Sequence, residues 1–174
     1  QHQAGAERPH RLVHGEAGIG KTRLLEEFTK WVTLQGAITT QARSYAAQGQ
    51  LTYAPITTWL RSEPLRQRMA TLAPLWLSEV SRLLPELLVA YPQVAPPQPL
   101  TESWQRQRFY EALVRALVSE TDKRPLVLLL DDLQWSGEEM LEWLSYLLHF
   151  PQTAPLLLVG AIRTGAVDAR HSLQ

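Results

Sequence analysis

Gly15, Glu16, Ala17, Gly18, Ile19, Gly20, Lys21 and Thr22 follow one another at the spacing G-x-x-x-x-G-K-[ST], with Arg23 next in line. These residue types at these distances suit one task, holding a phosphate. Residues without a Cβ let backbone N–H groups turn inward around an anion. The helix expected from about Lys21 adds unpaired N–H groups and the positive end of its dipole. Lys21 would reach the β- and γ-phosphate oxygens as a point charge, and the Thr22 hydroxyl would take one Mg²⁺ position. A coincidental glycine-rich turn is the plain alternative. The strand signal before the loop and the amphipathic helix after it are the context that argues against it.

Far downstream, Leu126 to Leu130 run into two adjacent carboxylates, Asp131 and Asp132. Acids at the carboxyl end of a buried parallel strand lie where ligands bind in open sheets. Asp131 would hold Mg²⁺, directly or through water, and Asp132 would orient or polarise the water that attacks the γ-phosphate. Alone, the pair reads equally well as a solvated strand end; the phosphate loop gives it weight. Arg163 closes the last apolar run, where a guanidinium can point at the γ-phosphate and report its presence, or simply sit on the surface. Tyr53 stands either near the nucleotide or in loop packing. Trp135 is read as a packing residue with partner contact as the alternative, and His14 as an ordinary strand residue. His149 and His171 have no ligand spacing.

Four strand signals position these groups: His10 to His14, Ala37 to Arg43, Leu126 to Leu130 and Leu156 to Ile162. The last two are almost wholly apolar, as expected of strands covered on both faces. Between them lie helical stripes: Leu24, Phe28 and Trp31 with Leu25 and Val32 beside them; then Tyr110, Leu113, Val114 and Leu117 on a helix from about Ser103 to Glu120. A third helix is expected from Ser136, capped by Ser136 and Glu139, with Met140, Leu144, Leu147 and Leu148 facing inward. The alternation predicts an α/β fold, a parallel sheet flanked by helices. Residues 44–102 break it and read as a helical insertion, Ile56 to Ser62, Leu65 to Leu72 and Leu75 to Leu84, interrupted at Pro64, Pro74 and Pro85. A proline-rich loop, Tyr91 to Pro99, follows. Residues 1–174 are read as a single domain of this kind.

Composition excludes several classes. The chain has 174 residues, 17 Lys+Arg against 17 Asp+Glu, no cysteine, and a mean hydropathy of -0.18. No thiolate zinc site, disulfide scaffold or cysteine nucleophile is possible. The net charge of +0 gives no broad reason to expect nucleic acid or an anionic membrane as partner. No apolar run approaches the roughly 20 residues of a bilayer span, and no signal-peptide pattern opens the chain. The expectation is a cytoplasmic segment excerpted from a longer chain.

The string from Leu12 through the phosphate loop to Leu25, then Tyr53-Ala54-Pro55, then Leu128 to Trp135 with its Asp-Asp-Leu-Gln-Trp, then Gly160 to Thr164, resembles the ATPase domain of STAND signal-transduction proteins. These are related to the AAA+ group and are found in large bacterial LuxR-type transcriptional regulators and in ATPases fused to cyclase or kinase domains. The resemblance implies a P-loop NTPase sheet of order 5-1-4-3-2, truncated here before strand 5, and ATP/ADP with Mg²⁺ as ligands. Lys21 and Thr22 then take the phosphate-loop roles, Asp131 the Mg²⁺ role, Asp132 the catalytic-acid position and Arg163 the first nucleotide sensor. Ser136 and Gly137 follow Trp135 where family members often carry an acid. The implied function is a MgATP-binding, slowly hydrolysing switch within a larger protein, in contact with lid, sensor and output domains and associating with itself in a nucleotide-dependent way. Alternatives left open are a nucleotide-binding interaction module without turnover and a P-loop phosphotransferase.

Overall fold

A computed structural model describes residues 9–16, 18–46, 52–118, 124–151 and 155–163. Its elements are β1 (His10–Gly15), α1 (Lys21–Leu34), β2 (Ile38–Arg43), α2 (Ala54–Arg61), α3 (Glu63–Arg66), α4 (Pro74–Val80), α5 (Glu86–Ala90), α6 (Ser103–Leu117), β3 (Leu126–Asp131), α7 (Glu138–His149) and β4 (Leu156–Arg163). Single 3₁₀ turns cover Gln67–Thr71 and Leu133–Trp135. The strands form one sheet of order β1-β4-β3-β2, every pair parallel. This is the flanked parallel sheet of a P-loop NTPase-like fold, and a fifth strand is not present among the described residues.

Side-chain alternation sorts the sheet into two cores. Leu126, Leu128 and Leu130 of β3 face the helices α2 to α7, in a cluster with Ile56, Trp59, Leu113 and Trp143. Val127 and Leu129 face α1, with Leu25, Val32, Val159 and Ala161. β3 is therefore buried at all six positions, which is why its sequence shows no polar alternation. β1 lies at the edge and is largely exposed.

Residues 54–90 form short helices as expected, and their prolines do more than interrupt. Pro55, Pro64 and Pro74 occupy the first turn of α2, α3 and α4, where a missing N–H is harmless, and Pro85 precedes α5. Ile56, Trp59, Leu60, Leu65, Leu77 and Val80 from this segment share the large core with β3 and β4. The indole of Trp59, fully buried, donates to the Leu129 carbonyl at 3.1 Å.

Three details of the helices differ from the expectation. On α1, Leu24 and Trp31 are 56% and 57% exposed, while Leu25, Phe28 and Val32 turn to the sheet. The apolar stripe is wider than one helical face, so periodicity alone does not say which edge is buried. The expected Ser136–Glu139 capping box does not form. Gly137 is the cap of α7 and carries no side-chain cap bond, because Ser136 Oγ instead pairs with Ser44 Oγ at 2.8 Å in a buried bridge from the end of β2. The capping box occurs at α6, between Glu102 and Gln105. That helix is described to Leu117 and passes into extended backbone at Val118, short of Glu120.

Candidate functional site

The register sets the site. At the carboxyl edge of the sheet, Gly15 of β1 pairs with Arg163 of β4, and Arg43 of β2 pairs with Asp131 of β3. The chain leaves β1 at Gly15 and turns through the loop into α1. Gly18 and Gly20 hold φ values of 79° and 100°, in the left-handed region that a side chain strains to reach. A Cβ on Gly15 would meet Ile19 Cγ2 at 2.8 Å, so the tight return of the loop also needs glycine there. Gly20 caps α1 with no side-chain bond to its first N–H groups, leaving them to whatever the loop encloses.

Lys21, the first residue of α1, donates to the carbonyls of Gly15 and Glu16, both at 2.7 Å, which keeps its ammonium over the mouth of the loop. Thr22 Oγ1 donates to Asp131 Oδ2 at 2.8 Å, joining α1 to the end of β3 across 109 residues of sequence. Asp131 is 3% exposed, and its other oxygen accepts the Asp132 N–H at 2.9 Å. Glu16, Gly18, Ile19 and Arg23 are exposed around the loop, and Ala17 lies outside the described residues.

Asp132 is the only described non-glycine residue with positive φ, at 54°. Aspartate tolerates this conformation better than most side chains. The turn aims its carboxylate across the strand ends into a polar cluster. Asp132 Oδ2 accepts Arg43 Nε at 2.8 Å and Nη2 at 2.6 Å. Asp132 Oδ1 accepts Gln134 Nε2 at 2.9 Å and lies 3.4 Å from Arg163 Nε. The Arg163 backbone N–H in turn donates to Gln134 Oε1 at 3.3 Å. Burial works against the charge of Asp132, but the bonds from Arg43 and Gln134 and the charges of Arg43 and Arg163 outweigh it and hold the carboxyl below its ordinary value. The same bond to Asp132 pushes the Arg43 guanidinium up.

The structure thus places Lys21, Thr22, Asp131, Asp132 and Arg163 along one edge of the sheet, as the spacing and strand order suggest. Arg43 and Gln134 were not singled out from the sequence. Arg43 reads there only as the end of a strand and Gln134 as part of a string; the signal that finds them is the order β2-β3, which sets their ends side by side. Tyr53 instead packs edge-on to Phe109 at 5.5 Å, with its hydroxyl 3.4 Å from that of Tyr110. Trp135 is 47% exposed. His14 is an exposed strand residue, and His171 lies outside the described residues.

The donors fit Mg²⁺ bound with a nucleotide. Thr22 and Asp131 offer a hydroxyl and a carboxylate, the hard oxygen ligands that Mg²⁺ takes. Among the described residues no group of three or more His, Cys, Asp or Glu could cage a metal, so the remaining coordination would fall to phosphates and water.

A family model described as "AAA ATPase domain" matches residues 1–159. The chain belongs to the AAA ATPase domain family. Nucleotide binding is the property this membership carries, usually with Mg²⁺. No protein with a curated description matches the chain. Among solved structures, an Aeropyrum pernix ORC2 protein described in ADPNP-ADP complexes is 20% identical, with a TM-score of 0.46 over 94% of this chain and 38% of that one. The AAA ATPase chain thus spans well under half the length of that protein. No helix among the described residues is long and apolar enough to cross a membrane.

Proposed function

We propose that this AAA ATPase domain binds MgATP and hydrolyses it slowly, as the switch module of a larger signalling or transcription-regulating protein. The observation that carries the reading is the Thr22–Asp131 bond at 2.8 Å, which ties the phosphate loop to the acidic strand end with Asp132 next in the chain. Backbone N–H groups of Gly18, Ile19, Gly20 and Lys21, with the Lys21 ammonium, would hold the β- and γ-phosphates. Lys21 would leave its two carbonyls for the more strongly attracting oxyanions. Thr22 and Asp131 would hold Mg²⁺, which supplies charge neutralisation at the β- and γ-oxygens.

Asp132 would accept a hydrogen bond from water and align it behind the γ-phosphorus. Ionised and held low, it is a good orienting acceptor and a poor proton acceptor, in keeping with slow turnover. Arg163 would stand by to meet the γ-phosphate from β4 while remaining in reach of Asp132. Regulatory partner domains, which follow from the family resemblance, and nucleotide-dependent self-association complete the proposal.

A second reading, binding without turnover, is favoured by the bonds from Arg43 and Gln134 that already occupy Asp132. Phosphate release from MgATP by the chain and by Asp132→Asn separates the two. Asparagine tolerates the left-handed turn, so the backbone survives and only the carboxylate charge is removed. Turnover that falls by a factor of about 10² or more in the variant supports hydrolysis through Asp132. Equal rates in both proteins would remove Asp132 from the mechanism.

A further inference from the structure

Away from the phosphate loop, the start of α6 and the middle of α7 line an open cavity of about 590 Å³, within the size range of small-molecule sites. Two tyrosines, Tyr110 and Tyr146, line it. Tyr110 is 4% exposed and meets Tyr146 edge-on at 5.7 Å. The Tyr110 hydroxyl has only long bonds, 3.3 Å to Glu142 Oε2 and 3.4 Å to the Tyr53 hydroxyl. Burial pushes both tyrosine hydroxyls up, so they stay neutral and able to donate at any physiological pH.

The walls carry opposite charges that do not meet. Arg106 and Glu142 both line the cavity, yet Arg106 makes no ion pair among the described residues. Its neighbours on α6 behave differently: Arg108 is bonded to the buried Glu79 at 2.6 Å, and Arg115 to Glu111 at 2.8 Å. Glu142 has only the long bond from Tyr110. The third charged wall residue, Glu102, is already engaged as the cap of α6. A cavity lined by a guanidinium, a carboxylate not paired with it and two tyrosine rings is complementary to a small zwitterion with an apolar body.

We propose that this cavity binds a free α-amino acid, its carboxylate on Arg106, its ammonium on Glu142 and its side chain against Tyr110 and Tyr146. A guanidinium grips a carboxylate in two parallel bonds, and an ammonium is attracted both to the carboxylate and to the faces of the rings. The site is separate from the nucleotide loop and independent of whether the domain hydrolyses ATP.

Titration calorimetry with L-phenylalanine, N-acetyl-L-phenylalanine and L-phenylalaninamide tests it, since the two derivatives each lack one charge. The expected result is saturable binding of the free amino acid, weakened at least about tenfold by either derivative and by either Arg106→Ala or Glu142→Gln. MgATP binding, measured in parallel, should be unchanged in both variants and shows that they fold. No binding by the folded chain, equal binding of the three probes, or indifference to both substitutions overturns the proposal.

Discussion

The two faces of the sheet are built to different standards. On one, among the described residues, α1 covers β3 and β4, with Leu25, Val32, Val127, Leu129, Val159 and Ala161 as the buried set. On the other, α2 to α7 bury a far larger cluster whose centre includes Trp59, Leu113 and Trp143 at 0% exposure. The candidate phosphate loop leads into the helix of the thin side. The loop is fastened by hydrogen bonds to the strand ends, from Lys21 and Thr22, and the helix behind it leaves Leu24, Trp31 and Leu34 open to solvent. The larger core and the proposed phosphate loop therefore belong to different faces, and substitutions should separate stability from nucleotide binding.

The largest effect should come from the thick face. Trp59→Ala removes a fully buried indole and its bond to the Leu129 carbonyl, and is expected to cost about 3–5 kcal/mol in urea unfolding. That is a large share of what such a domain has to lose. Leu25→Ala, on the thin face, should cost about 2–3 kcal/mol, because the side chain removed is smaller than an indole and sits in a much smaller cluster. A larger cost at Leu25 than at Trp59 would reverse the comparison.

Lys21→Ala comes next and acts the other way. The partners of the ammonium are two backbone carbonyls, of Gly15 at the end of β1 and of the exposed Glu16, so unfolding free energy should change by less than about 0.5 kcal/mol. MgATP affinity should fall by about a hundredfold or more, since charge-assisted bonds to two phosphates are lost. Thermal stabilisation by MgATP, present in the chain and absent in the variant, reads this directly. Unaltered affinity would move the nucleotide away from the loop.

How much of this was legible in the sequence depends on how local the signal is. The phosphate loop and the β3 aspartates were readable because backbone turns and strand burial leave patterns within a few residues. The parallel sheet followed from the alternation of apolar runs and helical stripes. The α1 face was misread at Leu24 and Trp31 because a wide apolar stripe does not state which edge meets the sheet. The cap of α7 was misread because Ser136 had a competing partner, Ser44, 92 residues away. Arg43 and Gln134 were missed for the same reason: their role exists only once β2 and β3 lie in register.

Arg43→Ala should produce a smaller, opposite change in turnover. Arg43 places two bonds on Asp132 Oδ2, while Gln134 alone suffices to orient Oδ1. Freed of the guanidinium, Asp132 becomes a better proton acceptor, and kcat for MgATP should rise about three- to tenfold with KM little changed. Arg43→Lys, which keeps the charge but loses the fork, should lie between. A fall in kcat in Arg43→Ala would mean that Arg43 positions Asp132 productively rather than holding it back.

The smallest expected effect is in acid, and its sign follows from the direction of the Asp132 shift. The folded carboxyl titrates below its ordinary value, despite its burial, because Arg43, Gln134 and Arg163 favour the charged form. Its contribution to stability is therefore fully present above the unfolded carboxylate value of about 4 and is lost as pH falls through the lower folded value. Arg43 is half exposed, so the contribution should not exceed about 1 kcal/mol at pH 7. Unfolding curves of the chain and of Asp132→Asn should differ by that amount at neutral pH and converge as the pH drops below the ordinary carboxylate value. The gap should also narrow in 1 M salt, which screens a pair with one solvated partner. A gap that widened in acid would mean that the carboxyl titrates above its ordinary value, with burial rather than Arg43 governing its charge. The thin face would then hold a protonated acid, and the increase in turnover expected of Arg43→Ala would lose its basis.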